Sequence, residues 1–366
     1  MSLRRSHVLG NEERGKMLLG VNQTLTSYRT TTTTPKKETS KDKPLDRAPP
    51  PWHSVAFVAC ITALSLYQCV SAIHSLDKVA VLDTFTHRVF PEYVSLALLG
   101  WVRLAIAILI WVVFVSTVTS DGWIQTTRYR AKSKLQSGVP IVMKGSRTLF
   151  PFTAWCWILL GISFTSHALI ALTVAYNDNN QGDLPSTPLW MLRAILLIWE
   201  TTAPCAFLVS AVIRYVIWDM VLQGGPERTV QLKHPRNLMS HNMNSIFVVT
   251  EICLLGGLPV RLSEVYLGCL YGSLYIVIAW SLTRYWTSQG PHFLYFFLDT
   301  TLGYTTTISI AALTATLCLF YALLSVSLVA LNQLTAMLPD NSSQLLLLCH
   351  IAFVLGVASL VCRFHD

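Results

Sequence analysis

Two short stretches carry the residue types from which an acyl-transfer site could be built. In SHNMNSIFVVTE, residues 240–251, the side chains of His241, Asn244, Ser245 and Glu251 fall within about 120° of one helix face, while Asn242 and Thr250 fall elsewhere. Glu251 lies about 15 Å beyond His241 by the helical rise, which places it near the middle of a membrane-crossing segment. In FPFTAWCW, Pro151 suits the first turn of a helix and leaves Thr153 at the helix start. A hydroxyl and an imidazole at matched depth are the minimum for nucleophilic acyl transfer, in which the imidazole takes the hydroxyl proton. A plainer reading exists for both stretches. Thr153 caps a helix, and the polar face of 241–251 supplies interhelical hydrogen bonds, each worth from under 1 to about 2 kcal/mol in a membrane. Spacing alone does not choose between them.

The elements that must hold these residues are apolar helices. The chain of 366 residues is 52% hydrophobic and only 13% charged, against about 25% charged in an ordinary soluble domain. Apolar runs of the length needed to cross roughly 30 Å of hydrocarbon occur near 54–74, 93–118, 151–176, 189–221, 241–260, 265–283, 302–330 and 344–362. The predicted fold is all-α: a polytopic transmembrane bundle of about eight helices behind a disordered amino-terminal tail. The chain divides into the tail (1–50), two transmembrane helices (51–119), a core helical region (120–331) and a final helix with a short end (332–366).

The formal charge of +8 does not form a nucleic-acid patch. With the amino terminus in the cytoplasm, cytoplasmic loops hold 11 Lys and Arg against 3 on the opposite side, without counting the tail. This bias predicts both termini cytoplasmic. Arg4 and Arg5 permit an endoplasmic-reticulum retention signal, so the predicted membrane is that one or the plasma membrane. The loop 120–149, with Arg128, Arg130, Lys132, Lys134, Lys144 and Arg147, is expected to set topology and to lie against anionic headgroups. The tail has no apolar run of a signal peptide, and its Thr, Lys and Pro residues cannot bury a core. Sequons at Asn22 and Asn341 fall on opposite sides, so only Asn341 is expected to be modifiable.

Ionisable residues within spans are costly and should find partners inside the bundle. Arg103 and Glu200 sit at comparable depth and are expected to neutralise each other. Arg193 and Arg214 are expected to snorkel, and His167 and His350 to pack as satisfied core residues. Pro204, beside Glu200, marks a kink. The nine cysteines all fall in apolar runs with no C-x-x-C and read as small buried residues; Cys362, at the end of the last helix, is a candidate for acylation.

The run SHNMNSIFVVTEICLLGGLPVRLSEVYLGCLYGSLYIVIAW with the later FLYFFLD resembles the rolling-stone-like membrane proteins. The resemblance covers roughly 120–330 and rests on His241, Asn244, Ser245, Pro259, Arg261, Tyr266, Tyr271, Tyr275 and Asp299, with FTAWCWILLGISF similar to the Thr-bearing helix of those proteins. More distantly, the chain is similar to the androgen-induced-gene family of hydrolases, which cleave fatty acid esters of hydroxy fatty acids. That similarity implies a lipid ester hydrolase with Thr153 as nucleophile and His241 as general base. Asn244 and Ser245 would then be substrate hydrogen-bond donors, with Glu251 an internal polar partner. An acyl-threonine intermediate would be released by water, with no metal or cofactor. Two positions depart from the hydrolase pattern: Cys156 stands where it has an acid and Leu238 where it has a further His. The resemblance to rolling-stone-like proteins implies the alternative, a non-catalytic membrane protein for cell adhesion, fusion or lipid binding. A transporter is the third reading, without an interrupted repeat pair to support it. The expected partners are a lipid and the membrane, with no nucleic acid.

Overall fold

The computed structural model describes residues 47–72, 75–180, 187–223, 225, 229–288, 290–339 and 342–366. Most of the tail and both sequons therefore lie outside the described residues. The long helices are α1 (Trp52–Ala72), α2 (Leu96–Thr119), α3 (Phe152–Asn180), α4 (Leu189–Val212), α5 (Asn244–Leu254), α6 (Val265–Ser281), α7 (Tyr304–Met337) and α8 (Ser343–Val361). Among the described residues, all but α5 belong to helices long and apolar enough to cross a membrane.

The fifth segment is shifted from its expected position at 241–260. Short turns Pro235–Leu238 and Met239–Met243, the second a π-helical turn, lead directly into α5, so the run is helical from 235 and stops at Leu254. The stop is written in LLGGLP. Gly257 takes φ of 63°, its N–H reaches the Glu251 carbonyl at 3.0 Å, and Pro259 cannot resume the ladder.

Loops gather at two ends of the bundle in the alternation that the spans predict. One end holds both described chain ends: Thr300 donates to the Ala48 carbonyl and Arg363 to Asp219. The basic loop lies there as well, and it is less free than expected. Its strands β1 (Trp123–Thr126) and β2 (Pro140–Met143) pair antiparallel, with Trp123 opposite Met143. Arg147 donates to the carbonyls of Tyr285 and Trp286, and Arg128 to that of Met220. Lys132, Lys134 and Lys144 remain exposed. At the opposite end, Val89 N–H meets the Leu255 carbonyl at 2.8 Å and Trp199 donates to Pro259.

Helices α2 and α3 approach closely because Gly100 and Gly161 have no side chain; a Cβ on Gly100 would lie 2.7 Å from Leu172. Such small-residue contacts are how helices associate where lipid is as apolar as leucine. Arg193 stays partly exposed and pairs with Asp77 of the Ser75–Lys78 turn. Arg214 caps α8 by donating to the carbonyls of Ser359 and Cys362.

Residues 362–366 form a strap over this end. Arg363 stacks on Trp218, its backbone exchanges hydrogen bonds with the Asn242 amide, and Asp366 takes bonds from Lys233, Trp218 and Thr229. Cys362 is buried, with its thiol on the Asn242 carbonyl, which removes it as an acylation candidate. Lys233 holds the Asp366 carboxyl below its ordinary value. A depressed folded value gives stability that is complete above the unfolded carboxylate pKa and is lost as pH falls through the folded one. Hydrogen exchange at 362–366, corrected for the intrinsic rate, is therefore expected to rise below about pH 4. In Lys233→Ala that rise is expected to begin at higher pH; identical profiles would detach the strap from this contact.

Candidate functional site

The polar face of α5 meets α4, and most of it is used in holding the two together. Ser210 of α4 donates to the His241 carbonyl at 2.5 Å and lies 2.9 Å from Asn244 Oδ1 and 2.7 Å from Ser245 Oγ. Ser245 reaches the Ala206 carbonyl at 3.0 Å. Two atoms stay unsatisfied: His241 Nδ1 and Asn244 Nδ2 are buried without a hydrogen-bond partner.

Glu251 belongs to an ion pair. Arg103 Nη2 lies 2.5 Å from Glu251 Oε1 and Nε lies 3.1 Å from Oε2, with both side chains fully buried. The remaining Arg103 donor Nη1 reaches the Phe85 carbonyl at 2.6 Å, and Gly256 N–H adds a bond to Glu251. The expected Arg103–Glu200 pairing is thus wrong. Glu200 is taken by Arg261, with Nε 2.6 Å from Oε1 and Nη2 2.7 Å from Oε2. Arg261 also faces Glu264 at 3.5 Å, and Tyr266 donates to Glu264.

Pro204 explains another contact in this junction. Having no N–H, it leaves the Glu200 carbonyl one turn earlier without its helical donor. Tyr321 of α7 fills that place, its hydroxyl 2.7 Å from the carbonyl. Gly268 makes room for the ring, since a Cβ there would lie 2.8 Å from Tyr321 Cε2.

Neither core histidine is fully satisfied as expected: His350 places Nδ1 on the Cys253 carbonyl at 2.5 Å but leaves its Nε2 buried without a partner. His167 is wedged between Phe85 and Trp199, with its Nε2 unpartnered.

Thr153 stands apart from the His241 face. It borders a partly open hollow enclosed by α1, α3, α4, α6, α7 and the 290–303 loop. The walls are apolar apart from a few hydroxyls and a thiol. Thr153 lies beside the Tyr295 phenol, and Tyr275 approaches the same phenol and the Phe152 backbone. Burial pushes the Tyr295 phenol up to about 12, so it is a neutral donor at any physiological pH.

His241, Asn244, Ser245 and Glu251 do not border this hollow. The turn carrying His241 does pack against α3, yet Nδ1 of its imidazole has no partner. Tyr295 and Gly272 are the wall residues that sequence reasoning passed over. The signal was present in LYGSLY and FLYFFLD, where aromatic and small residues stand in otherwise aliphatic runs. Among the described residues no group of three or more His, Cys, Asp or Glu is placed to hold a metal. No protein-family model, curated protein or solved structure matches this chain.

Proposed function

We propose that this polytopic membrane protein binds a lipid by taking an acyl chain into the hollow beside Thr153, with the ester or carboxyl oxygen accepting from Thr153 and Tyr295. The observation that carries this reading is an apolar hollow inside a helical bundle whose hydroxyls gather at one point of its wall. A pocket of this kind suits a ligand that is mostly hydrocarbon with one polar group. The basic end of the bundle faces the cytoplasm in this reading, as the charge bias requires.

Gly272 offers the test, because it borders the hollow and an added Cβ there meets nothing within 4 Å. Gly272→Trp is expected to fill the space without disturbing the packing. Each buried methylene is worth about 0.8 kcal/mol, so displacing two or more should weaken binding of a fluorescent fatty acid ester by roughly tenfold. Unchanged affinity in a variant of wild-type melting temperature would place the lipid elsewhere.

A second reading, hydrolysis of lipid esters by Thr153 and His241, is favoured by the packing of the His241 turn against α3 and by the resemblance to the lipid ester hydrolases. It requires the imidazole to reach the hydroxyl on substrate binding, since a general base acts within about 2.6–3.2 Å or through one water. A fluorophosphonate probe that labels wild type and spares Thr153→Ala supports it. Lipid binding without labelling leaves the binding reading alone.

A further inference from the structure

Helices α6 and α7 are held in a fixed register by Gly268. Its missing side chain admits Tyr321, and a Cβ there would also lie 3.0 Å from Leu317. The next residue along each helix, Cys269 on α6 and Cys318 on α7, is a half-buried cysteine. Their sulfurs face each other at 4.0 Å. A disulfide needs about 2.05 Å, so the two sulfurs must close by about 2 Å. Cys269 also borders the hollow, so a bond here would fix one of its walls.

We propose that Cys269 and Cys318 are a disulfide-forming pair that locks α6 to α7 when oxidised by a hydroperoxide. Each thiol gives up its proton and the pair gives up two electrons as the S–S bond forms. The hydroperoxide takes both, its O–O bond breaking to give an alcohol and water. Partial exposure of both thiols admits an oxidant dissolved in the membrane, where lipid hydroperoxides form. The other seven cysteines are free in this structure too; Cys156 also lies near Cys205, but both are fully buried, so partial exposure together with the register that Gly268 sets distinguishes Cys269 and Cys318. This inference does not depend on the lipid-binding reading.

The test uses the full chain in membranes with diamide, a membrane-permeant oxidant whose N=N bond is reduced to a hydrazine as two thiols couple. After alkylation of remaining thiols and digestion, mass spectrometry is expected to show the peptides of Cys269 and Cys318 joined and lighter by two hydrogens. Treatment with cumene hydroperoxide is expected to give the same product. Cys269→Ser and Cys318→Ser should each lose it and leave the other cysteine alkylated. Separate alkylated Cys269 and Cys318 peptides from oxidised wild type would overturn the proposal, as would Cys269 joined to a different cysteine. Because the deciding readout is made on wild type, misfolding of a variant does not affect it.

Discussion

Arg103→Ala is expected to lower the stability of the bundle by about 3–5 kcal/mol, the range found when one partner of a buried ion pair is removed. Three acceptors depend on this guanidinium: both Glu251 oxygens and the Phe85 carbonyl. Glu251 is fully buried, so its carboxylate would be left with the Gly256 N–H alone in surroundings that solvate charge poorly. The site cannot relax by drawing in bulk. A Cβ on Gly256 would already collide with the guanidinium, which shows how closely the loop after α5 is fitted round the pair. The measurement is the melting temperature of purified protein in detergent together with the monodisperse fraction on gel filtration. The double variant Arg103→Met with Glu251→Leu is expected to recover most of the loss, because removing both charges removes the desolvation cost along with the attraction. If Arg103→Ala melts within about 1 °C of wild type, no more than the shift that 1 kcal/mol gives in a chain of this length, the pair is not what fastens α2 to α5.

How much of this could be read from the chain depends on the kind of question asked of it. Helix existence was legible because apolar runs of membrane length leave few alternatives. The stop after Leu254 was legible in GGLP as well, although the apolar count ran through it to residue 260; glycine and proline geometry overrode hydropathy there. The hairpin in the basic loop was not foreseen. Its strands WIQT and PIVM are only four residues each, too short for alternation to stand out among the flanking charges.

Pairing was the least legible property. Depth along a helix follows from counting residues, but the partner of a buried charge depends on the rotation of each helix and on which helices are neighbours. Arg103 and Glu200 are matched by residue counting, and they take different partners. Arg261 had been placed on the motif PVRL without a role, and it proved to be the cation that Glu200 needs. The same limit applies to the α5 face. Periodicity grouped His241, Asn244, Ser245 and Glu251 on one face, but it could not say that Ser210, hidden in CAFLVS, would meet the His241 carbonyl, Asn244 and Ser245 while Glu251 would pair with Arg103. Thr153 was legible as a residue of interest, while its neighbour Tyr295 came from a loop whose path no local pattern specifies.

Arg261→Ala is expected to be the second severe substitution, again costing about 3–5 kcal/mol, though for a different arrangement. Here one guanidinium, about one fifth exposed, serves two fully buried carboxylates, Glu200 and Glu264. Its fork meets both Glu200 oxygens at 2.6 and 2.7 Å, a bidentate geometry that an ammonium cannot reproduce. Arg261→Lys is therefore expected to fall between Ala and wild type. Removing the cation leaves two like charges near each other at the junction of α4 and α6, with only Tyr266 and Ser263 donating to Glu264. Glu200→Gln added to Arg261→Ala is expected to restore part of the loss by deleting one of those charges, whereas the same Glu200→Gln in the wild-type background weakens the fork and destabilises. That reversal of sign between backgrounds, read from four melting temperatures, separates charge pairing from simple packing. If Glu200→Gln destabilises both backgrounds equally, the Arg261 guanidinium acts through its hydrocarbon stem and the junction is held by packing.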